Sequence, residues 1–315
     1  MDGLIGVDKP SGLTSHGVVA RIRRITGERT AGHTGTLDPW ATGVLVVCMG
    51  RATRLSRFLM ESPKSYDAEI VFGRSTDTGD SHGYVVASND DFSLSRGQVF
   101  AALERFRGDI MQIPPMVSAV HHQGRRLYEI AREGVIVARE ARPVRIHDIS
   151  PVQPDAWPES VEPGTVALVA VTCSKGTYIR TLCEDICASL GVPGHMGELR
   201  RTHASGFGVG ECVSIDAIAA AAESGDYSGL LHPMARAVAD MPSISLGPDE
   251  RRSVVHGTRI DVCSACVGGE IAAGLSEQAW VALTGPDGEL VALAVAERTG
   301  DMVSLQPRVV LAEEA

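Results

Sequence analysis

The stretch GERTAGHTGTLDPWATGVL, residues 27–45, combines repeated glycines with an aspartate that precedes a proline, and it leads directly into the apolar run VLVVCM at 44–49. That run predicts a buried strand. Glycine allows a ligand to approach the backbone closely, and Pro39 restricts the conformation of Asp38. These residues predict a carboxylate held rigidly at a sheet edge. A tight turn in which Asp38 accepts backbone hydrogen bonds explains the same pattern.

Hydrophobic periodicity and capping residues predict mixed α and β structure around this stretch. Predicted strands cover 4–7, 44–49, 66–72 and 166–173, and predicted helices cover 18–25, 95–106, 127–134, 179–190 and 215–222. The polar segment 73–83 is predicted to be a loop. Short strands separated by Gly turns follow, which predicts a small all-β unit at the end of the chain. The sequence therefore predicts two domains, 1–240 and 241–315.

The 315 residues carry a net charge of −10, which by itself disfavours a nucleic-acid partner. The charge is unevenly distributed, however. Residues 1–210 contain 23 basic and 23 acidic side chains, whereas residues 211–315 contain 6 and 16. Arginines cluster at 21–24 and at 125–145, and arginine is suited to phosphate contacts. The excess acid therefore does not exclude RNA binding by the first two-thirds of the chain.

Other motifs point to no metal site or nucleotide triphosphate site. Gly27-x4-Gly32-His33-Thr34 has P-loop spacing, but His33 replaces the required lysine. The acidic loop beginning at Asp77 has Ser88 where an EF-hand needs glutamate. Cys263 and Cys266 form a lone CxxC pair, for which two ordinary thiols are the better interpretation.

The seven cysteines are expected to be reduced thiols. Neither a signal peptide nor an apolar run of membrane-spanning length is recognised. We therefore expect a cytoplasmic protein.

The segment CSKGTYIRTLCEDI, residues 173–186, places Tyr178 and Arg180 just after a strand and at the start of a helix. This position favours binding of an anion, and Arg180 could pair with a carboxylate. Pairing of a surface Arg180 with Glu184, four residues later on the same helix, is the alternative.

Taken together, the ordered segments resemble the bacterial tRNA pseudouridine-55 synthases. The resemblance rests on GVDKPSGLTS, GHTGTLDPWATGVL, KSYDAEIVFGRSTDTGD, RRLYEIAREG followed by EARPV, CSKGTYIRTL and LRRT. It covers about Leu4 to Ser214. It implies an α+β fold with a mixed, mainly antiparallel sheet flanked by helices. The C-terminal domain resembles a PUA module, a small β-barrel-like unit.

The resemblance also implies a reaction and a set of site residues. The reaction cleaves the bond between uracil N1 and the ribose and rejoins the base through C5, without a cofactor or metal. Asp38 matches the catalytic aspartate, Arg180 its partner, and Tyr66 the tyrosine that stacks on the uracil. The remaining matched positions are substrate-binding or supporting residues: His33, Tyr178, Leu199, Asp80 and Lys9. His33 matches the histidine that fills the space left by the flipped nucleotide.

The implied substrate is the T-arm of tRNA, with no membrane partner, no obligatory protein partner and a monomeric enzyme. The arginine clusters are the expected phosphate contacts. Acid in the C-terminal domain disfavours RNA contact there. A tRNA-folding chaperone whose catalysis is incidental is the competing hypothesis, and the sequence does not separate the two. It also does not decide whether Asp38 acts as a nucleophile or first removes a ribose proton.

Overall fold

The computed structural model describes residues 1–118, 120–263, 279–299 and 302–313. Two sheets organise these residues, a nine-stranded one in the first part and a five-stranded one near the C-terminus. The helices are α1 (Ser15–Thr26), α2 (Ser56–Glu61), α3 (Arg96–Arg105), α4 (Leu127–Arg132), α5 (Ile179–Ser189), α6 (Ile215–Ser224) and α7 (Pro248–Val255).

The strands of the first part are β1 (Gly3–Lys9), β2 (Ala31–His33), β3 (Thr42–Met49), β4 (Lys64–Phe72), β5 (Arg74–Thr76), β6 (Val85–Ser88), β7 (Leu94–Ser95), β8 (Gly108–Gln112), β9 (His121–His122), β10 (Arg125–Arg126), β11 (Arg142–Pro151), β12 (Ser160–Val161), β13 (Val166–Cys173), β14 (Gly194–Ala204) and β15 (Phe207–Gly208). The large sheet has the order β1-β3-β14-β4-β13-β11-β8, with β2 beside β3 and β15 beside β14. Its pairs are antiparallel except the parallel pair β3–β14. The predicted mixed, mainly antiparallel sheet is confirmed.

Local sequence explains several of these elements. Thr14 caps α1 by accepting from the Gly17 N–H at 2.9 Å, and Gly27 ends the helix with a φ of 71°. Val18, Val19 and Ile22 form its buried face. Alternate residues of β4 are buried from Lys64 to Phe72, as its period-2 pattern predicts. Central β3 is buried on both faces.

Several elements were not predicted, among them α2, β8 and β11. Two further segments differ from the prediction for identifiable reasons. The predicted loop 73–83 begins with β5, which pairs with β6 in an exposed hairpin; because all of β6 is exposed, no hydrophobic alternation marks it. The strand β14 was not predicted. Gly194 and Gly197, together with two register shifts against β4, hide its strand pattern in the sequence.

The second sheet contains β16 (Ser243–Ser245), β17 (Ile260–Cys263), β18 (Ala279–Thr284), β19 (Leu290–Thr299) and β20 (Met302–Val310), in the order β16-β18-β19-β20-β17. It has its own apolar core and confirms the predicted strands near the C-terminus, but helix α7 contributes Val254 to that core, so the unit is not all-β as predicted. It packs on the first part through Leu55, Leu293 and Leu311. Arg54 Nη1 also donates to the Val310 carbonyl at 2.7 Å. The boundary at 240/241 stays a prediction.

Candidate active site

Asp38 lies on the loop between β2 and β3, and buried side chains form hydrogen bonds to the backbone of this loop. Lys9 is fully buried, and its Nζ donates to the carbonyls of Pro10, Pro39 and Ala41 at 2.9, 2.9 and 2.6 Å. The Ser15 hydroxyl accepts from the Leu37 N–H at 2.9 Å. The backbone on both sides of Asp38 is therefore fixed by groups distant in sequence.

Gly43 allows this loop to meet the neighbouring strand β14. Its φ is +98°, and a Cβ built there would lie 2.1 Å from the Arg201 carbonyl oxygen. Any side chain would force the two backbones apart. The glycine that follows Asp38 by five residues is therefore needed for close approach between strands β3 and β14.

Arg180 connects two carboxylates. Its Nε lies 3.3 Å from Asp38 Oδ2, and its Nη1 lies 3.7 Å from Asp80 Oδ2. The same guanidinium donates to the carbonyls of Thr78 at 3.0 Å and Val117 at 2.8 Å. Only 6 % of the Arg180 side chain is exposed. The structure thus favours the interpretation of Arg180 as a carboxylate partner over that of a surface residue.

Burial and charge act in opposite directions on Asp38. Its desolvation raises the pKa of the carboxyl above the ordinary 3.8, and nearby Asp80 adds to this, whereas Arg180 and Lys9 lower the pKa. The net direction is upward. Arg180 favours the ionised form, as the resemblance implies, but it does not overcome the cost of burial.

Asp38 faces a cavity of about 360 Å³, within the range of ligand pockets. Tyr66, Tyr178 and Leu199 line it together with Met196 and Arg201. Tyr66 and Leu199 are almost fully buried. Burial raises the pKa values of both tyrosines, so their phenols are neutral at pH 7. The cavity therefore combines an aromatic and apolar wall with one carboxylate and its cationic partner.

The other predicted residues lie beside this cavity. Asp80 is buried; its Oδ1 accepts from the Thr78 hydroxyl at 2.7 Å and from the His82 N–H at 3.0 Å. Asp80 is therefore held in place to pair with Arg180, and it supports the position of that guanidinium. Lys9 also occupies a supporting position, since all its hydrogen bonds described above go to loop carbonyls.

His33 lies in a neighbouring cleft with His16, Arg23 and Arg126. Its ring packs edge-on against His16 at a centroid distance of 4.8 Å. Burial lowers the pKa of His33 to about 4, so the ring is neutral at pH 7. Thr36 lines both this cleft and the cavity of Asp38. His33 is thus separated from Asp38 by the loop 34–37.

Sequence reasoning missed Arg201 and Lys64. Arg201 is 2 % exposed; it donates to the carbonyls of Val44 at 2.7 Å, Gly35 at 3.1 Å and Thr36 at 3.4 Å. Lys64 lines the same cavity and donates to the carbonyls of Met60 and Ser62. One signal was present: both residues lie in segments that carry the family resemblance, Arg201 in LRRT and Lys64 in KSYDAEIVFGRSTDTGD.

Among the described residues, no group of three or more His, Cys, Asp or Glu is placed to hold a metal ion. Cys263 is exposed, and Cys266 lies outside the described residues. No helix of the described part is long and apolar enough to cross a membrane.

The sequence matches known families over most of the first part. Residues 23–179 match the TruB family pseudouridylate synthase (N terminal domain), and residues 180–239 match the tRNA pseudouridylate synthase B C-terminal domain. The chain is accordingly a pseudouridine synthase, which is an isomerase.

Relatives extend the match to the whole chain. A protein of Pelotomaculum thermopropionicum named tRNA pseudouridine synthase B is 41 % identical and covers 100 % of this chain and 98 % of its own length. A protein of the same name from Symbiobacterium thermophilum is 47 % identical over 82 % of each chain. The chain belongs to the TruB family of pseudouridylate synthases.

Solved structures show the same architecture. A chain of the Cbf5-Nop10-Gar1 complex superposes with a TM-score of 0.73 at 27 % identity, covering 98 % of this chain and 85 % of that one. A chain of an H/ACA RNP bound to a substrate RNA containing 2′-deoxyuridine gives a TM-score of 0.72 at 26 % identity, covering 99 % and 85 %. These likenesses include the C-terminal sheet and confirm the predicted fold class.

Proposed function

We propose that this protein isomerises uridine to pseudouridine at position 55 in the T-loop of tRNA. The observation that carries the proposal is the Asp38–Arg180 pair, which lines one cavity together with Tyr66, Tyr178 and Leu199. The whole-length similarity of this chain to a protein named tRNA pseudouridine synthase B supports tRNA as the substrate.

The proposed reaction balances without an external reactant. The bond from ribose C1′ to uracil N1 breaks, the base turns, and a bond from C1′ to C5 forms. The proton on C5 leaves, and N1 gains one. Asp38 starts the reaction either by attacking as a nucleophile or by removing a ribose proton, and both routes require the ionised carboxylate.

The cavity walls have two tasks in this proposal. Tyr66 stacks on the uracil, while Leu199 and Tyr178 keep the detached base from leaving the site. A flipped nucleotide costs a few kcal/mol in lost stacking, which contacts with these walls would offset. His33, in the adjoining cleft, is proposed to occupy the space that the nucleotide vacates.

The exposed arginines of α1, among them Arg21 and Arg24, are the proposed phosphate contacts. Of the second cluster, Arg125 is exposed but pairs with Glu133, and Arg145 pairs with Asp109, so both would exchange partners on binding RNA. We place the protein in the cytoplasm as a monomer, with domains 1–240 and 241–315.

Tritium release tests the proposal. A tRNA transcript labelled at uracil C5 should lose tritium with the wild-type protein, whereas Asp38→Asn should give background release. A labelled transcript with cytidine at position 55 should release no tritium. In the product made from the unaltered transcript, mapping should find pseudouridine at position 55 alone. Asp67→Asn is the matched control, because Asp67 neighbours Tyr66 on β4 but does not line the cavity. Equal release by Asp38→Asn and wild type would refute the role of Asp38.

A further inference from the structure

Two rings stack where the loop of Asp38 meets the loop of Asp80. Trp40, two residues after Asp38, and His82, two residues after Asp80, lie nearly parallel, with ring centroids 5.1 Å apart and planes inclined by 14°. The Trp40 side chain also packs against the main core, while His82 is exposed. The stack therefore joins a loop anchored in the core to an exposed hairpin turn.

These rings complete a closed circuit of contacts. Asp38 pairs with Arg180, Arg180 with Asp80, and Asp80 accepts from the His82 N–H at 3.0 Å. The stack then returns from His82 to Trp40, on the same turn as Asp38, where the Ala41 N–H donates to the Asp38 carbonyl at 3.2 Å. A shift of either loop would change the Asp38–Arg180 distance.

Lys9 fixes only one side of this circuit. It holds the Asp38 loop from beneath, through the carbonyls of Pro39 and Ala41. The Asp80 loop is anchored instead to β14, where the Ser81 N–H donates to the Met196 carbonyl at 3.0 Å. The two loops thus rest on different supports, and the stacked rings join them directly.

We infer that Trp40 and His82 are positioning residues, whose stacked rings hold the Asp38 loop and the Asp80 loop in register so that Arg180 can reach both carboxylates. This inference rests on the proposed role of Asp38. Neither ring lines the cavity of Asp38, so their effect is exerted through the loops.

The side chain of His82 can be removed without removing its backbone hydrogen bond to Asp80. His82→Ala should therefore lower kcat for pseudouridine formation by about two- to tenfold, the factor expected from the loss of one aromatic pair. KM for tRNA should not change. His82→Phe keeps a planar ring and should restore kcat. The matched control is Tyr84→Ala, which removes a ring from the same hairpin at a position that is 84 % exposed.

The inference would be overturned by unchanged kcat in His82→Ala, by failure of His82→Phe to restore kcat, or by an equal loss in Tyr84→Ala. A higher KM with unchanged kcat would indicate that the rings bind RNA instead, and would also overturn it.

A second readout does not depend on activity. In the wild type, the ring current of Trp40 should shift the NMR signals of the His82 ring protons upfield, and Trp40→Leu should abolish this shift. Identical His82 signals in both proteins would show that the rings do not stack. If Asp38→Asn proves fully active, the proposed role of Asp38 fails while this shift persists, so the two failures are distinguishable.

Discussion

Replacement of Arg180 by methionine should move the pH dependence of catalysis toward alkaline pH. Burial already raises the pKa of Asp38, and Arg180 is the largest influence that opposes this rise. Two unit charges 3.3 Å apart attract each other by about 5 kcal/mol at an effective dielectric constant of about 20. Because 31 % of the Asp38 side chain is exposed, solvent screening reduces this attraction.

The expected shift follows from this attenuated interaction. An arginine neighbour typically lowers a carboxyl pKa by about 1–3 units. Arg180→Met should therefore move the midpoint of the acidic limb of the kcat profile to higher pH, by about 1–3 pH units. The sign follows from the ionised form being the active one: activity is lost as pH falls through the pKa of Asp38, and a higher pKa brings this loss at higher pH. In Arg180→Met, kcat therefore falls on the acidic side of the profile and recovers in part as the pH rises.

The assay is tritium release from C5-labelled tRNA under single-turnover conditions, across a range of pH. Arg180→Lys retains a charge without the planar fork, so its acidic limb should lie between those of wild type and Arg180→Met. Arg200→Met is the control, because Arg200 pairs with Asp8 at 2.8 Å and does not line the cavity. A uniform loss of kcat in Arg180→Met, with the acidic limb unmoved, would refute the reasoning.

Three further predictions concern stability. Lys9→Met leaves the buried Ala41 carbonyl without its donor and should lower the free energy of unfolding in urea by about 1–3 kcal/mol; an unchanged midpoint would contradict this. Burial lowers the pKa of Lys9 from 10.5 to about 8, so the unfolded chain binds this proton more tightly than the folded chain does. The free energy of unfolding should therefore rise between about pH 8 and 10.5. Lys9→Met should lack this pH-dependent rise. Leu199→Ala should cost about 2–5 kcal/mol in thermal or urea unfolding because Leu199 is 6 % exposed, and a loss below about 1 kcal/mol would indicate that the cavity already leaves the side chain loosely packed.

The elements that sequence predicted well are those with strong local signals. Helix α1 has a cap, an apolar stripe and a terminal glycine, and β4 alternates without interruption. Strand β14 lacks such a signal because glycines and register shifts interrupt its alternation. The core position of β14 is a tertiary property: it depends on pairing with β3 and β4, whose residues lie more than 100 positions earlier in the chain.

The same distinction applies within the site. Family resemblance located Asp38, Arg180 and Lys9, but it did not reveal what each side chain contacts. Lys9 reaches Pro39 and Ala41 across 30 and 32 residues, and Arg201 reaches Gly35 across 166. Such contacts leave no periodic trace in a single sequence. The upward pKa of Asp38 also depends on burial, which a motif does not report.

Charge shows most clearly why the contacts matter. The first two-thirds of the chain is neutral in sum, yet four buried cations surround the cavity of Asp38 or support its loop: Lys9, Lys64, Arg180 and Arg201. Within the described residues, Arg180 alone of these four forms ion pairs with carboxylates, and the other three donate to backbone carbonyls. Carbonyl oxygens satisfy the hydrogen bonds of a cation without cancelling its charge. This arrangement disfavours the charged form of Lys9 and Lys64: burial and nearby Arg201 lower the pKa values of both to about 8. The positive charge left at the cavity favours an ionised carboxylate and an anionic nucleic acid alike, although the net charge of the chain is −10.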